Sequence, residues 1–164
     1  GLIVLGILDH DTDHGLVVVT DGDQIGLGDL ILIQLVDLDV VNAQMLENVR
    51  LSGMPSIGLT LYPTYPEGFF RGGMAKPYVY QNGGDWTWFG GRMIQQLVAN
   101  GFVEEAYDEI RPMIDRVIKN QGFFEWYGMG GVPSGSGHFK GSAGVLAKAI
   151  EMMNDWAEEK IDNK

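Results

Sequence analysis

The chain contains no cysteine. That excludes disulfides and thiolate metal ligands, and it removes redox chemistry as a guide to compartment. Basic residues are scarce: 11 Lys and Arg stand against 22 Asp and Glu, for a net charge of −11. Phosphate binding needs clustered Lys and Arg, so nucleic acid is not an expected partner. The same sign of charge disfavours an anionic membrane surface. No apolar run reaches the roughly 20 residues of a transmembrane helix. No Lys or Arg precedes the first apolar stretch, so no secretory signal is expected and a cytoplasmic location is favoured.

The first 42 residues lack still more. They use only Gly, Leu, Ile, Val, Asp, His, Thr, Gln and Asn, with no Lys, Arg, Glu, Ala, Pro or aromatic residue. Their eight Asp carry −8 of the net −11. No physical rule accounts for so narrow an alphabet. "GLIVLGIL", "GLVVV" and "LILIQLV" are apolar runs bounded by Asp and Gly, and periodicity does not separate buried strand from buried helix there. "DHDTDHG", Asp9 to Gly15, alternates carboxylates like the start of a calcium loop. Its sixth position is His14 where Gly is required, and its twelfth is Thr20 where Glu is required. A solvated acidic turn is expected instead, with no metal and no cofactor. "GLGD", Gly26 to Asp29, matches an aspartyl motif of membrane-spanning proteases, but the spans which that chemistry needs are lacking.

The remainder, residues 43–164, has a different grammar. Val41, Met45, Leu46 and Val49 share one helical face. Residues 51–84 form a long Pro-, Gly- and Tyr-rich connection in which four prolines forbid a regular helix. "GRMIQQLVANG" spaces Met93, Ile94, Leu97 and Val98 as a buried stripe, with Gly101 as the stop. From Val103 the positions Ala106, Tyr107, Ile110, Met113, Ile114, Val117 and Ile118 continue an i, i+3, i+4, i+7 pattern, closed by Lys119 and Gly122. Pro112 lies off that stripe. The last helix lines up Val145, Leu146, Ala149, Ile150, Met153 and Trp156. Helix, long aromatic loop, helix pair, long aromatic loop, helix: the expected fold is all-α, built of stacked αα-hairpins with elaborate loops at one end.

The aromatic residues concentrate in those loops rather than at helical spacing. "YQNGGDWTWFGG" sets Tyr80, Trp86 and Trp88 among Gln81, Asn82 and Asp85, and "GFFEWY" sets Glu125 between Phe124 and Trp126. Sugars present flat C–H faces to rings and hydroxyls to amides and carboxylates, so these loops suit a carbohydrate partner. The alternative is that the rings cap the end of a bundle. Glu125 is equally open to two readings. A carboxylate among rings is partly desolvated and suits acid–base work, or it is simply structural.

The order of motifs, "YQNGGDWTW" before a helix, "EEA" opening an amphipathic helix, "NQGFFEWY", then "GSGHFKGSAGVL" leading into a final helix, resembles the C-terminal part of the six-hairpin (α/α)-toroid glycosidases. That group includes the neutral and alkaline invertases, mannosylglycerate hydrolases and debranching-type α-glucosidases. The resemblance covers about residues 43–160. It implies a partial (α/α) six-hairpin toroid and an inverting glycoside hydrolase acting on a glucoside-like sugar. Glu125 would be the base that activates water. Tyr80, Gln81, Asn82, Trp86, Trp88, Trp126 and His138 would line the sugar subsite. The general acid of the family is an Asp on an earlier hairpin, and Asp85 is the one carboxylate here beside a matching motif. The final helix opens "GSAG" where the family often has Trp. A full toroid needs about twelve helices, about twice what this chain has room for. Partners therefore include the remainder of its own domain or a second copy. A non-catalytic sugar-binding module and an inactive structural fragment of a larger enzyme are the alternatives.

Overall fold

In the computed structural model the residues described are 5–7, 16–18 and 38–162. The acidic turn at Asp9 to Gly15 and the Gly26 to Asp29 stretch lie outside them. Two compact units divide the chain between Gln44 and Met45. In the first, β1 (Leu5–Ile7) pairs antiparallel with β2 (Leu16–Val18), in the register Leu5 with Val18 and Ile7 with Leu16.

Helix α1 (Leu38–Ser52) begins in the first unit and ends in the second. Asp39 in its first turn and Arg50 in its last complement the helix dipole. Ser52 turns the chain: its hydroxyl donates to the Val49 carbonyl at 2.7 Å and accepts the Met54 N–H at 3.1 Å. The expected connection of residues 51–84 is irregular as its prolines demand, with a single 3-10 turn at Gly72–Met74.

The rest of the second unit is a helical frame. Helices α2 (Thr87–Ala99) and α3 (Val103–Asn120) form a tight hairpin, and α4 (Lys140–Asp162) packs along α2. The described chain is thus mostly helical, with four α-helices and two two-stranded ladders. None of its helices is long and apolar enough to cross a membrane.

The stripe expected in α2 is the heart of the core: Met93, Ile94, Leu97 and Val98 are all buried. They meet Ala106, Ile110 and Met113 of α3, and Leu146 and Ala149 of α4. Gly91 sets how closely α4 approaches. A Cβ there would fall 2.8 Å from Val145 Cγ2 and 3.0 Å from the Val145 carbonyl carbon. This contact also explains why α2 starts four residues before the expected Gly91. Its poor helix-forming Gly90–Gly91 pair is held in helix by tertiary packing.

Two corrections concern the helix faces. Tyr107 and Ile118, counted in the α3 stripe, are 55% and 69% exposed, whereas Arg116 is buried. The buried face is narrower than the apolar series, and it bends toward the loop end to admit a guanidinium. In α4 only Ser142, Leu146 and Ala149 are buried; Ile150 is exposed on the side of the helix away from Ala149 and Met153, and Trp156 is exposed beyond Met153, the last residue of the helix packed against the core. Helix α3 itself stays continuous through Pro112 and closes at Gln121, whose φ of 51° and ψ of 39° are left-handed, one residue before the expected Gly122.

Candidate functional site

Four extended segments lie side by side at the loop-bearing end. Residues 58–60 pair with 84–86, which pair with β3 (Trp126–Tyr127), which pairs with β4 (Pro133–Ser134). Asp85 is the crossing point, bridged to Leu59 on one side and to Tyr127 on the other. Its N–H donates to the Tyr127 carbonyl at 3.0 Å, and the Tyr127 N–H returns a bond of 2.8 Å. Both aromatic loops are thereby tied to one residue.

The side chain of Asp85 is fully buried. Arg116 reaches it from α3, with Nη1 2.7 Å from Oδ2 and Nη2 donating to Oδ1 at 2.9 Å. Nη2 also donates to Thr87 Oγ1 at 2.7 Å. The guanidinium stacks on the Tyr127 ring at 4.1 Å. Ser56 Oγ sits 2.9 and 2.7 Å from the two carboxylate oxygens. Gly58 is required here, since a Cβ on it would lie 2.1 Å from Asp85 Oδ1. This carboxylate is neutralised, saturated with donors and closed to solvent, an arrangement made for fastening rather than for proton transfer.

Asn82 is equally inward. Its Oδ1 accepts the Tyr65 N–H at 2.9 Å, and its Nδ2 donates to the carbonyls of Tyr65 and Lys76 at 3.1 Å and of Met74 at 3.4 Å. One buried amide thus stitches the 62–80 loop together. Gln81 next to it is exposed, and its carbonyl accepts from Thr60 Oγ1 at 3.3 Å.

The structure does bring three of the expected rings together. Buried Trp86 donates its indole N–H to the Tyr80 carbonyl at 3.1 Å and meets the Tyr80 ring edge-on at 5.0 Å. Tyr80 meets Trp126 edge-on at 6.2 Å. Phe139, absent from the expected set, joins them at 6.1 Å from Trp86. Tyr80, Trp126 and Phe139 are half-buried, so part of each ring is open to solvent. Trp88 lies apart on the first turn of α2, 39% exposed and capped by the Arg92 guanidinium at 4.9 Å. His138 is exposed on an open groove of about 520 Å³, lined also by Val117, Ile118, Phe123, Phe139 and Lys140.

Glu125 sits where the chain bends into β3 and is half-buried. Its N–H donates to the Ser136 carbonyl at 2.9 Å, and its Oε2 accepts the Ser136 N–H at 3.3 Å. It lies against Gly135, and no cation pairs with it among the described residues. Of the two candidate catalytic carboxylates, this one remains free to act on a ligand.

Sequence reading missed Arg116, Ser56 and Glu109. Arg116 carried a signal: it stands three residues past Met113 and six past Ile110, on the buried side of α3. A base in such a place requires an acid partner. Glu109 is half-buried with Oε2 out of reach of water and of any hydrogen-bond partner among the described residues. Burial pushes its carboxyl up to about 7; the Ile57 N–H pulls the other way, and the charges of Asp85 and Asp108 push further up. No protein-family model, curated protein or solved structure matches the chain.

Proposed function

We propose that the loop-bearing end handles carbohydrate, as part of an inverting glycoside hydrolase of the (α/α)-toroid kind acting on a glucoside-like sugar. The observation that carries the reading is the half-open group of Tyr80, Trp126 and Phe139 around buried Trp86, with the Glu125 carboxylate, held by the Ser136 N–H but by no cation among the described residues, next in the chain to Trp126. Rings of this kind stack on the C–H faces of a pyranose. Glu125 would take a proton from water as general base, and Gln81 would offer its amide to a sugar hydroxyl.

Inversion needs a second carboxyl about 6.5–9.5 Å from the first. With Asp85 fastened to Arg116, the acid in this reading comes from the rest of the toroid: the remainder of its domain or a second copy. Exposed Tyr107 and Ile118 on α3 are consistent with such an addition. The same fastening favours one further reading, a sugar-binding module that holds its ligand without turning it over.

The test is binding and turnover of a panel of aryl glycosides by the chain and by Glu125→Gln. Turnover lost in Glu125→Gln with binding kept supports the hydrolase. Equal binding with no turnover in either protein, at concentrations where the chain self-associates so that a second copy can supply the acid, supports the module. Absence of saccharide binding that Trp126→Ala could weaken removes both.

A further inference from the structure

Helix α4 carries a second row of residues beside its buried face. Ser142, Leu146 and Ala149 are the buried ones. One residue on from each, Ala143, Ala147 and Ile150 begin a row that continues through Asn154, Ala157 and Ile161. Its steps alternate between four residues and three, the repeat of a helix that pairs with another helix. Ala143 is half-buried and the other five are exposed, Ile161 to 71%. One residue further on the surface turns charged, with Lys148, Glu151, Asp155, Glu158 and Asp162.

The two ends of the row differ in charge. At its start, Lys140 and Ala143 line the open groove of about 520 Å³, together with exposed Ile118 of α3. His138 and Lys140 are the titratable groups lining that groove, and no carboxyl does so, in a chain with 22 acids to 11 bases. At the far end, Asp155, Glu158, Glu159 and Asp162 stand against Lys160. A basic apolar groove and an acidic apolar helix end therefore share one face, and the complement of that face is the same face turned end for end.

We propose that this face binds a second copy of the chain, with the two α4 helices antiparallel about a two-fold axis near Met152. In that register Ala143 faces Ile161 of the second copy, Ala147 faces Ala157 and Ile150 faces Asn154, so each isoleucine meets a smaller side chain. Along the edge of the seam Lys148 faces Asp155 of the second copy, and symmetry repeats the pair. Lys148 also touches Glu151 of its own helix at 3.3 Å, an exposed contact that it can share. The acidic end of each α4 comes onto the basic groove of the other, and the antiparallel helix dipoles add to the fit. Asn154, the polar member of the row, fixes the register at some cost in stability. The interface is isologous, so assembly closes at two, and it is independent of what the aromatic loops bind.

Sedimentation equilibrium of the chain and its charge variants tests this. The wild-type chain is expected to shift from monomer to dimer as its concentration rises. Lys148→Glu sets like charges opposite each other at two symmetric places and should weaken the dimer by at least about tenfold. Asp155→Lys should do the same. The double variant, Lys148→Glu with Asp155→Lys, restores both pairs with their signs exchanged and should recover most of the loss. Both side chains are at the surface, so circular dichroism should show every variant folded. A wild-type chain that stays monomeric overturns the proposal, and so does one that assembles beyond two. A dimer indifferent to both single reversals forms through another face, and a loss that the double variant does not recover rules out the antiparallel pairing; either result overturns it.

Discussion

Arg116 grips Asp85 through both terminal nitrogens, across 31 residues of sequence. The pair joins α3 to the central segment of the four-segment ladder, and Tyr127 roofs it. Burying two opposite charges costs desolvation that their attraction roughly offsets, but removing one partner leaves the other stranded. Asp85→Asn is therefore expected to destabilise the fold by about 3–5 kcal/mol. Arg116→Met should cost a similar amount, and Asp85→Asn combined with Arg116→Met clearly less than the sum of the two singles. A double-mutant cycle by urea denaturation measures the coupling. Additive singles would mean that the pair is not a unit.

Asn82 is expected to act on the 62–80 loop rather than on any ligand. Asn82→Ala strands one N–H and three carbonyls, of which the two shortest donor contacts are 3.1 Å. A loss of about 1–3 kcal/mol follows for buried groups left unpaired. Asn82→Asp should be worse at neutral pH, because a carboxylate would face carbonyl oxygens that now receive an amide. Limited proteolysis checks both: cleavage within 62–80 should quicken, and fastest in Asn82→Asp.

Glycine is common in this chain, yet its sites should not respond alike. At Gly144 on α4, a Cβ would meet nothing within 4 Å, so Gly144→Ala should raise stability by about 0.5–1 kcal/mol through helix propensity. At Gly91 the same substitution drives a methyl into the α4 backbone and should lower stability by about 1–3 kcal/mol. Thermal melts of the two variants should move in opposite directions.

The helices were legible because their signal is local. Met93, Ile94, Leu97 and Val98 announce a buried stripe by spacing alone, and all four are buried. The start of α2 was not legible, since Gly90 and Gly91 are poor helix formers and the placement of Gly91 depends on residues more than 50 positions away in α4. The same holds for the loops. That rings gather beside glycines at one end can be read from composition. That Asp85 and Asn82 turn inward cannot, because their partners lie in α3 and in the 62–80 loop. Adjacent residues with the same polarity, Gln81 and Asn82, ended on opposite sides of the surface. What decided between binding and fastening was the number of buried donors that tertiary folding brought to each group.

The pH dependence of overall stability follows from Glu109. Its folded carboxyl titrates at about 7, above its ordinary 4.5, so the folded chain holds a proton that the unfolded chain releases. The stabilisation is complete below about 4.5 and is lost as pH rises through 7. Each pH unit between those two values is worth about 1.4 kcal/mol, which sets a ceiling of about 3.5 kcal/mol. Solvent reaches part of the side chain, so about 1–2 kcal/mol is the expected loss between pH 5 and 8. Burial likewise raises the Tyr127 phenol, so a further loss is expected above its ordinary value of 10. Urea midpoints at pH 5, 6.5 and 8 measure the first step. Glu109→Gln should flatten it while leaving the alkaline loss from Tyr127 in place. Stability that rises between pH 5 and 8 would mean that another group governs this range.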